Sequence, residues 1–414
     1  MKTWITYPAA IVLGFSAHLL LGGMPAYETV LDLVVPLAKQ IGIFMVFPIV
    51  FVMLSGATAS LRRFKEGPIV LFSTLFWGLF TTLALSFGGM GLTLVPLPSF
   101  VQYSFPPAAA PNLSFFDFSA FRSLFIADNA FVQFSASSVS LLPVIVIALL
   151  VGIAMRPNKE IIRPAYVVLN SFSEVMGRLA RLFTSFGALL MLFISADWFR
   201  TPGLLQTAMD SKWYVASLMA GLLATLLILL PLLFALFTGF RGGNPYRMTF
   251  GSIGAYLASG VTGSLLFGTN ALLALSLQNS KARKRVVGFN VPLLTLIGRG
   301  GSALVATFSV ITLLQSTGAA LDIKARIFIA LFSGLFSLVC SLSPGVEVPF
   351  ISIMVLKGIG LEYASTAVVG VMVVLLPLIQ LASLYIDAAV IAFGSAYSSR
   401  IVSPDDRKLR GQTL

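Results

Sequence analysis

Residues 289–316 read FNVPLLTLIGRGGSALVATFSVITLLQS, an apolar run with Ile297-Gly298-Arg299-Gly300-Gly301-Ser302 at its middle. About 28 residues suffice for a tilted helix to cross a bilayer, and three glycines around one guanidinium interrupt that helix at mid-depth. The N–H and C=O groups freed there find no partner in lipid. A broken helix therefore persists only where protein, water or a ligand fills the gap. An ionisable group at that depth points to a functional site; the plainer reading is a kinked helix whose Arg299 snorkels or pairs with a carboxylate.

The rest of the chain extends this pattern. Its 414 residues are 57% hydrophobic and 10% charged, with a mean hydropathy of +0.96, whereas soluble domains carry about 25% charged residues. This composition implies an all-α polytopic membrane protein. Apolar runs at 4–22, 36–60, 68–97, 129–155, 164–196, 213–240, 286–316 and 362–396 predict eight spans. The first reads as a retained helix rather than a signal peptide ending near Gly22–Ala26, because many spans follow it. Two more segments, 251–277 and 327–357, are apolar but broken at Ser259–Ser264 and Ser341–Val346. Each half is too short to span, so each segment reads as a re-entrant helical hairpin, and such a pair points to a transporter core of inverted repeats.

The formal net charge of +12 would suggest nucleic acid in a soluble protein, but here the basic residues lie in short loops between spans. If both termini are cytoplasmic, 17 of them fall inside, at Lys2, Arg62–Lys65, Arg156–Arg163, Arg241–Arg247, Lys281–Arg285 and Arg400–Arg410. The opposite loops hold 7: Lys39, Arg122, Arg200, Lys212, Lys324, Arg326 and Lys357. Positive-inside bias thus sets the orientation, with the first hairpin entering from inside and the second from outside, and no nucleic-acid partner is expected. Residues 98–128 read as an outer loop, and the tail beyond 396 as a cytoplasmic end.

The single cysteine, Cys340, excludes an intrachain disulfide and a multi-cysteine metal site. The single histidine, His18, reads as a packing or interface residue of the first span and leaves no Ser-His-Asp set. With no paired aspartates either, the chain is not expected to be an enzyme, and no cofactor is implied. Glu174 and Arg178 at i,i+4, with Arg181 at i,i+7, read as an ion pair on one helix face. The Phe-rich third and fourth spans read as lipid-facing or packing surfaces.

Order and spacing of motifs add a resemblance over nearly the whole length. Phe44–Phe51 with Ser55-Gly56-Ala57, Leu142–Ala148 with Gly152-Ile153-Ala154, and Val291-Pro292-Leu293 with Ile297–Ala303 resemble the second, fourth and seventh helices of the dicarboxylate/amino acid:cation symporters, the glutamate transporter family. Ser343-Pro344-Gly345, followed by Met354-Val355-Leu356 and Gly358–Leu361, is similar to that family's second hairpin. Asp387-Ala388-Ala389 falls where its last helix carries an aspartate. The resemblance implies eight transmembrane helices plus two re-entrant hairpins. It also implies a homotrimer and a bacterial inner-membrane location. Residues 1–249 would be mainly scaffold, with spans 3 and 6 contributing to the core; 250–396 would be the transport core, moving in an elevator-like displacement, and 397–414 the tail.

The departures from the family are as informative. Its N-M-D-G-T ligands to sodium fall on Gly298 and Gly300, its third-helix Thr-Ser on Phe76-Trp77, and its last-helix Asp, Arg and Asn on Met372, Ile379 and Ser383. Its first-hairpin serines fall on Gly260-Val261-Thr262. Sodium needs several hard oxygen ligands, so the full sodium set is not expected. Asp387 could hold one cation with backbone carbonyls of the broken helix, or it could be a buried carboxylate tied to Arg299 or to the hairpins. Arg299 keeps its proton and offers a fork of donors for a carboxylate, or stands in for the lost cation. Glu347 could carry a proton, pair with Arg299 or lie exposed at the hairpin mouth.

These readings favour a symporter-like secondary transporter of a small organic solute, a carboxylate or amino acid. The substrate site is expected at Thr262, Ser264, Arg299, Gly300, Ser302, Ser343, Gly345 and Ser383. Coupling to a proton or single cation, H+ or Na+, is expected at Gly298, Glu347 and Asp387. The other readings are a family member that no longer transports and serves as scaffold or sensor, and a solute or anion channel.

Overall fold

The computed structural model describes residues 3–94, 141–155, 160–198, 200, 204–240, 243–279, 283–316, 321–342, 345–361, 370 and 372–402. Regular structure among them is helical throughout. The helices are α1 (Thr3–Leu21), α2 (Pro25–Phe44), α3 (Val46–Arg63), α4 (Gly67–Leu92), α5 (Leu142–Ala154), α6 (Arg163–Trp198), α7 (Leu204–Asp210) and α8 (Lys212–Ala224). A π-helical turn, Thr225–Leu229, leads into α9 (Leu230–Phe237), followed by α10 (Tyr246–Gly251), α11 (Ile253–Thr262), α12 (Leu265–Asn279), α13 (Lys284–Ile297) and α14 (Gly300–Ser316). The last three are α15 (Ile323–Ser337), α16 (Glu347–Gly358) and α17 (Leu376–Val402).

Among the described residues, seven stretches are long and apolar enough to cross a membrane: Thr3–Leu21, Pro25–Arg63, Gly67–Leu92, Arg163–Trp198, Lys212–Phe237, Lys284–Ser316 and Leu376–Val402. The expected span at 129–155 is represented by α5, its first part lying outside the described residues, as do the outer loop 98–128 and the start of the last span. Sequence placed the start of the second span at residue 36, but apolar helix begins at Pro25 and breaks at Met45. Pro48 explains the break, because its ring excludes the carbonyl of Phe44 and it offers no N–H.

Both interrupted segments are helix pairs packed side by side, α11 on α12 and α15 on α16. The first turns through Gly263, whose φ of 64° is left-handed and favours glycine. In the second pair the helix ends at Ser337, earlier than the sequence suggested, and a 3-10 turn at Cys340–Leu342 follows. The most enclosed helix is α14, buried from Gly300 to Leu314. It packs against α4, α15, α16 and α17, while α13 packs against α3, α4, α12 and α17. Outside this centre lie α1, α2 and α6, with apolar side chains such as Leu20, Leu33 and Phe172 turned outward. Phe72 on α4 is likewise exposed and stacks on Phe76, as a lipid-facing surface requires.

The ion pair expected within α6 is replaced by one between elements: Glu174 binds Lys284 at 2.9 Å instead of Arg178. His18 is partly buried beside Tyr27, with ring centroids 6.4 Å apart.

Candidate functional site

The break between α13 and α14 consists of Gly298 and Arg299. The Gly298 N–H still bonds to Leu294 O at 2.7 Å, and the Arg299 carbonyl accepts the first bond of α14, from Ala303 N at 3.0 Å. Thr82 Oγ1 donates to the carbonyl of Ile297 at 3.1 Å, so α4 satisfies one acceptor freed by the break. The freed donors at the start of α14 turn to α17. Asp387 Oδ1 accepts from Gly301 N at 2.7 Å and Ser302 N at 3.1 Å, and Oδ2 accepts from Ser302 Oγ at 2.6 Å. A fully buried carboxylate thus caps the positive end of a half-helix, the position where an anion is most favourable.

This approach depends on Gly301. A Cβ there would lie 2.6 Å from Ile386 Cβ and 2.8 Å from Asp387 N, closer than packed atoms allow. Gly300 is similarly enclosed, against Leu85 of α4.

Arg299, 4% exposed, lies between two carboxylates. Its Nη1 is 3.7 Å from Asp387 Oδ2 and 3.9 Å from Glu347 Oε1, within ion-pair range but too long for a hydrogen bond. Accordingly Nε and Nη1 have no hydrogen-bond partner among the described residues. Glu347 begins α16, is 2% exposed, and its Oε2 accepts from Gly345 N at 3.0 Å. The exposed position considered for Glu347 is therefore ruled out: its charge faces Arg299. Cys340, also buried, lies within electrostatic reach of all three groups.

A cavity lined by Leu265, Leu266, Thr295, Arg299, Ser341 and Glu347, among others, adjoins the guanidinium. Its volume of ≈ 10 Å³ holds about one water.

Of the residues proposed from sequence, Gly298, Arg299, Gly300, Ser302, Glu347 and Asp387 converge here. Ser383 is one turn before Asp387 and buried, with its Oγ donating to Gln380 O at 3.3 Å. Thr262 directs its hydroxyl to the backbone of its own hairpin, and Ser264 sits in the turn beside it. Gly345 is left-handed at φ 86°. Ser343 lies outside the described residues.

Sequence reading missed Gln380. Its Nε2 donates to the carbonyl of Gly345, and its Oε1 would be 2.5 Å from a Cβ placed on Gly263, so one amide touches both hairpin turns. A lone glutamine in the apolar run VVLLPLIQLASLYID was the available signal. Trp77, read only as a lost ligand position, holds α17 through Nε1 to Val390 O at 2.9 Å.

An all-helical membrane protein with paired helical hairpins, and half-helices meeting at a buried charge cluster, has the construction of a solute transporter. The Sodium:dicarboxylate symporter family model matches residues 6–399, and the chain belongs to that family. It is an integral membrane protein of symporter type. Curated proteins yield no match to this chain.

Proposed function

We propose that the protein is a secondary active transporter of a small organic anion, a carboxylate or amino acid, coupled to one proton or one monovalent cation instead of the full sodium set. The observation that carries this reading is the charge balance at the broken helix. Arg299 contributes +1 and Glu347 and Asp387 contribute −1 each, leaving −1 in a nearly water-free site. One proton or one monovalent cation neutralises the empty cluster, or the cluster holding a zwitterionic amino acid, whereas a bound monocarboxylate brings its own −1; a cluster brought to zero crosses a membrane at far lower cost. The unpartnered Nε and Nη1 of Arg299 supply the donors for a substrate carboxylate. The substrate would sit between the hairpin turns and the start of α14, with Thr262, Ser264, Ser343, Gly345 and Ser383 around it. Residues 250–396 would move as an elevator against a scaffold formed mainly by 1–249, in a homotrimer of the bacterial inner membrane with both termini cytoplasmic.

Counterflow in proteoliposomes across a panel of amino acids and dicarboxylates, with pH and sodium varied separately, tests this reading. Saturable exchange that responds to pH or to one cation, and is lost in Arg299→Ala, is the expected result. Conductance without saturable exchange would favour a channel. The absence of both uptake and ligand-induced stabilisation would favour a non-transporting scaffold.

A further inference from the structure

A second polar cavity lies away from Arg299, between α3, α6 and the start of α13. Its volume of ≈ 200 Å³ is many times that beside Arg299, and its lining includes Met53, Ser60, Asn170, Ser173, Arg283 and Lys284. Its basic lining comes from Arg283, Lys284 and Arg285, where α13 begins. Glu66 binds Arg283 at 3.1 Å and Arg285 through two bonds, at 2.8 and 2.9 Å. Glu174 binds Lys284 at 2.9 Å. Three cations against two carboxylates leave +1, and among the described residues Arg283 and Lys284 retain unused donors.

The walls are also polar. The side chains of Ser60, Asn170 and Ser173 have no protein partner among the described residues, although serines in helices commonly bond back to their own turn. Met53 lies ten residues, about 15 Å, inside the end of α3. From mouth to floor, the cavity therefore passes from guanidinium and ammonium through amide and hydroxyl to apolar surface.

We propose that this cleft binds a phosphate-bearing anion at the cytoplasmic face, supplied by the headgroup of an anionic phospholipid. Arginine and lysine at the end of membrane spans match a phosphodiester in charge and geometry, Asn170 and the serines match its glycerol oxygens, and the floor of Met53, Gly56 and Ala57 takes the first acyl carbons. Free phosphate shares the charged part of this chemistry and lacks the rest.

The test uses the full-length protein in detergent, titrated at low salt with phosphatidylglycerol, phosphatidylcholine or inorganic phosphate and followed by thermal unfolding. Phosphatidylglycerol is expected to bind at least about tenfold more tightly than phosphatidylcholine, with the preference lost in Arg283→Gln/Lys284→Gln and weakened by salt. Asn170→Leu, which fills the cleft without changing charge, provides a second variant if the double variant unfolds; it is expected to abolish the same preference. Stabilisation by inorganic phosphate equal to that by phosphatidylglycerol would make free phosphate the ligand and overturn the lipid assignment. Equal binding of the two lipids, or a preference unchanged in both variants, would overturn the site.

Discussion

Arginine meets carboxylate both at the mouth of the basic cleft and deep in the core, with different geometry. At the mouth of the basic cleft, Arg285 grips Glu66 with two bonds of 2.8 and 2.9 Å while both side chains keep contact with the surroundings, at 16% and 20% exposure. Inside the core, Arg299 stands 3.7 and 3.9 Å from Asp387 and Glu347, almost fully enclosed, with Nε and Nη1 unbonded among the described residues. The well-made pairs are where water weakens them, and the loose ones are where each unmade bond is expensive. A fold selected for stability alone would arrange these the other way round. That inversion supports the proposed working site at the loose cluster, while the tight network joins helix ends at the mouth of the cleft.

Four substitutions can break or sharpen this contrast. The largest effect belongs to Arg299→Ala, which strands two buried carboxylates and should cost roughly 3–5 kcal/mol in detergent unfolding while abolishing uptake. If unfolding is unchanged, the interior cluster is no more demanding than the rim, and the contrast collapses. Next comes Asp387→Asn, which keeps the shape but weakens the charged cap on α14, at roughly 1.5–3 kcal/mol. Uptake in that variant should lose its response to pH or cation; a retained response would move coupling to another group. Gly301→Ala should destabilise by about 1–3 kcal/mol through overpacking between α14 and α17, with an equal loss in transport rate. The smallest effect is expected for Glu66→Gln, at most about 1 kcal/mol, and it should vanish in high salt.

Much of this arrangement could be read from the chain. The broken helix at Gly298–Gly300 and the two interrupted helix pairs follow from local rules, because short apolar halves and glycines mark themselves along the sequence. Arg299, Glu347 and Asp387 were legible one at a time, each as a charge out of place in apolar surroundings. Their mutual distances were not legible, because helical phase across 86 residues decides whether the Gly301 amide meets Asp387. Gln380 escaped notice for a related reason: touching two turns is a property of the assembled hairpins, and one polar residue carries no period. The break at Met45 was written in Pro48, but the uninterrupted hydrophobicity on either side of it masked the signal. Glu174 found Lys284 instead of Arg178 because a cation on a neighbouring helix competed with the one on its own face.

The cap that Asp387 places on α14 also imposes an order on biosynthesis. Synthesis adds roughly 5–20 residues per second, so Arg299 and its half-helix leave the ribosome several seconds before their counter-charge exists. During that interval the nascent chain carries an arginine whose insertion at mid-membrane costs roughly 2.5–3.5 kcal/mol, with α14 uncapped beside it. The first six spans must then hold the broken helix near the bilayer, or the insertion machinery must shelter it, until α17 arrives. A chain cut short before Leu376 keeps Arg299 and Glu347 but loses the carboxylate that caps α14, so truncation leaves an uncapped half-helix for quality-control proteases to detect.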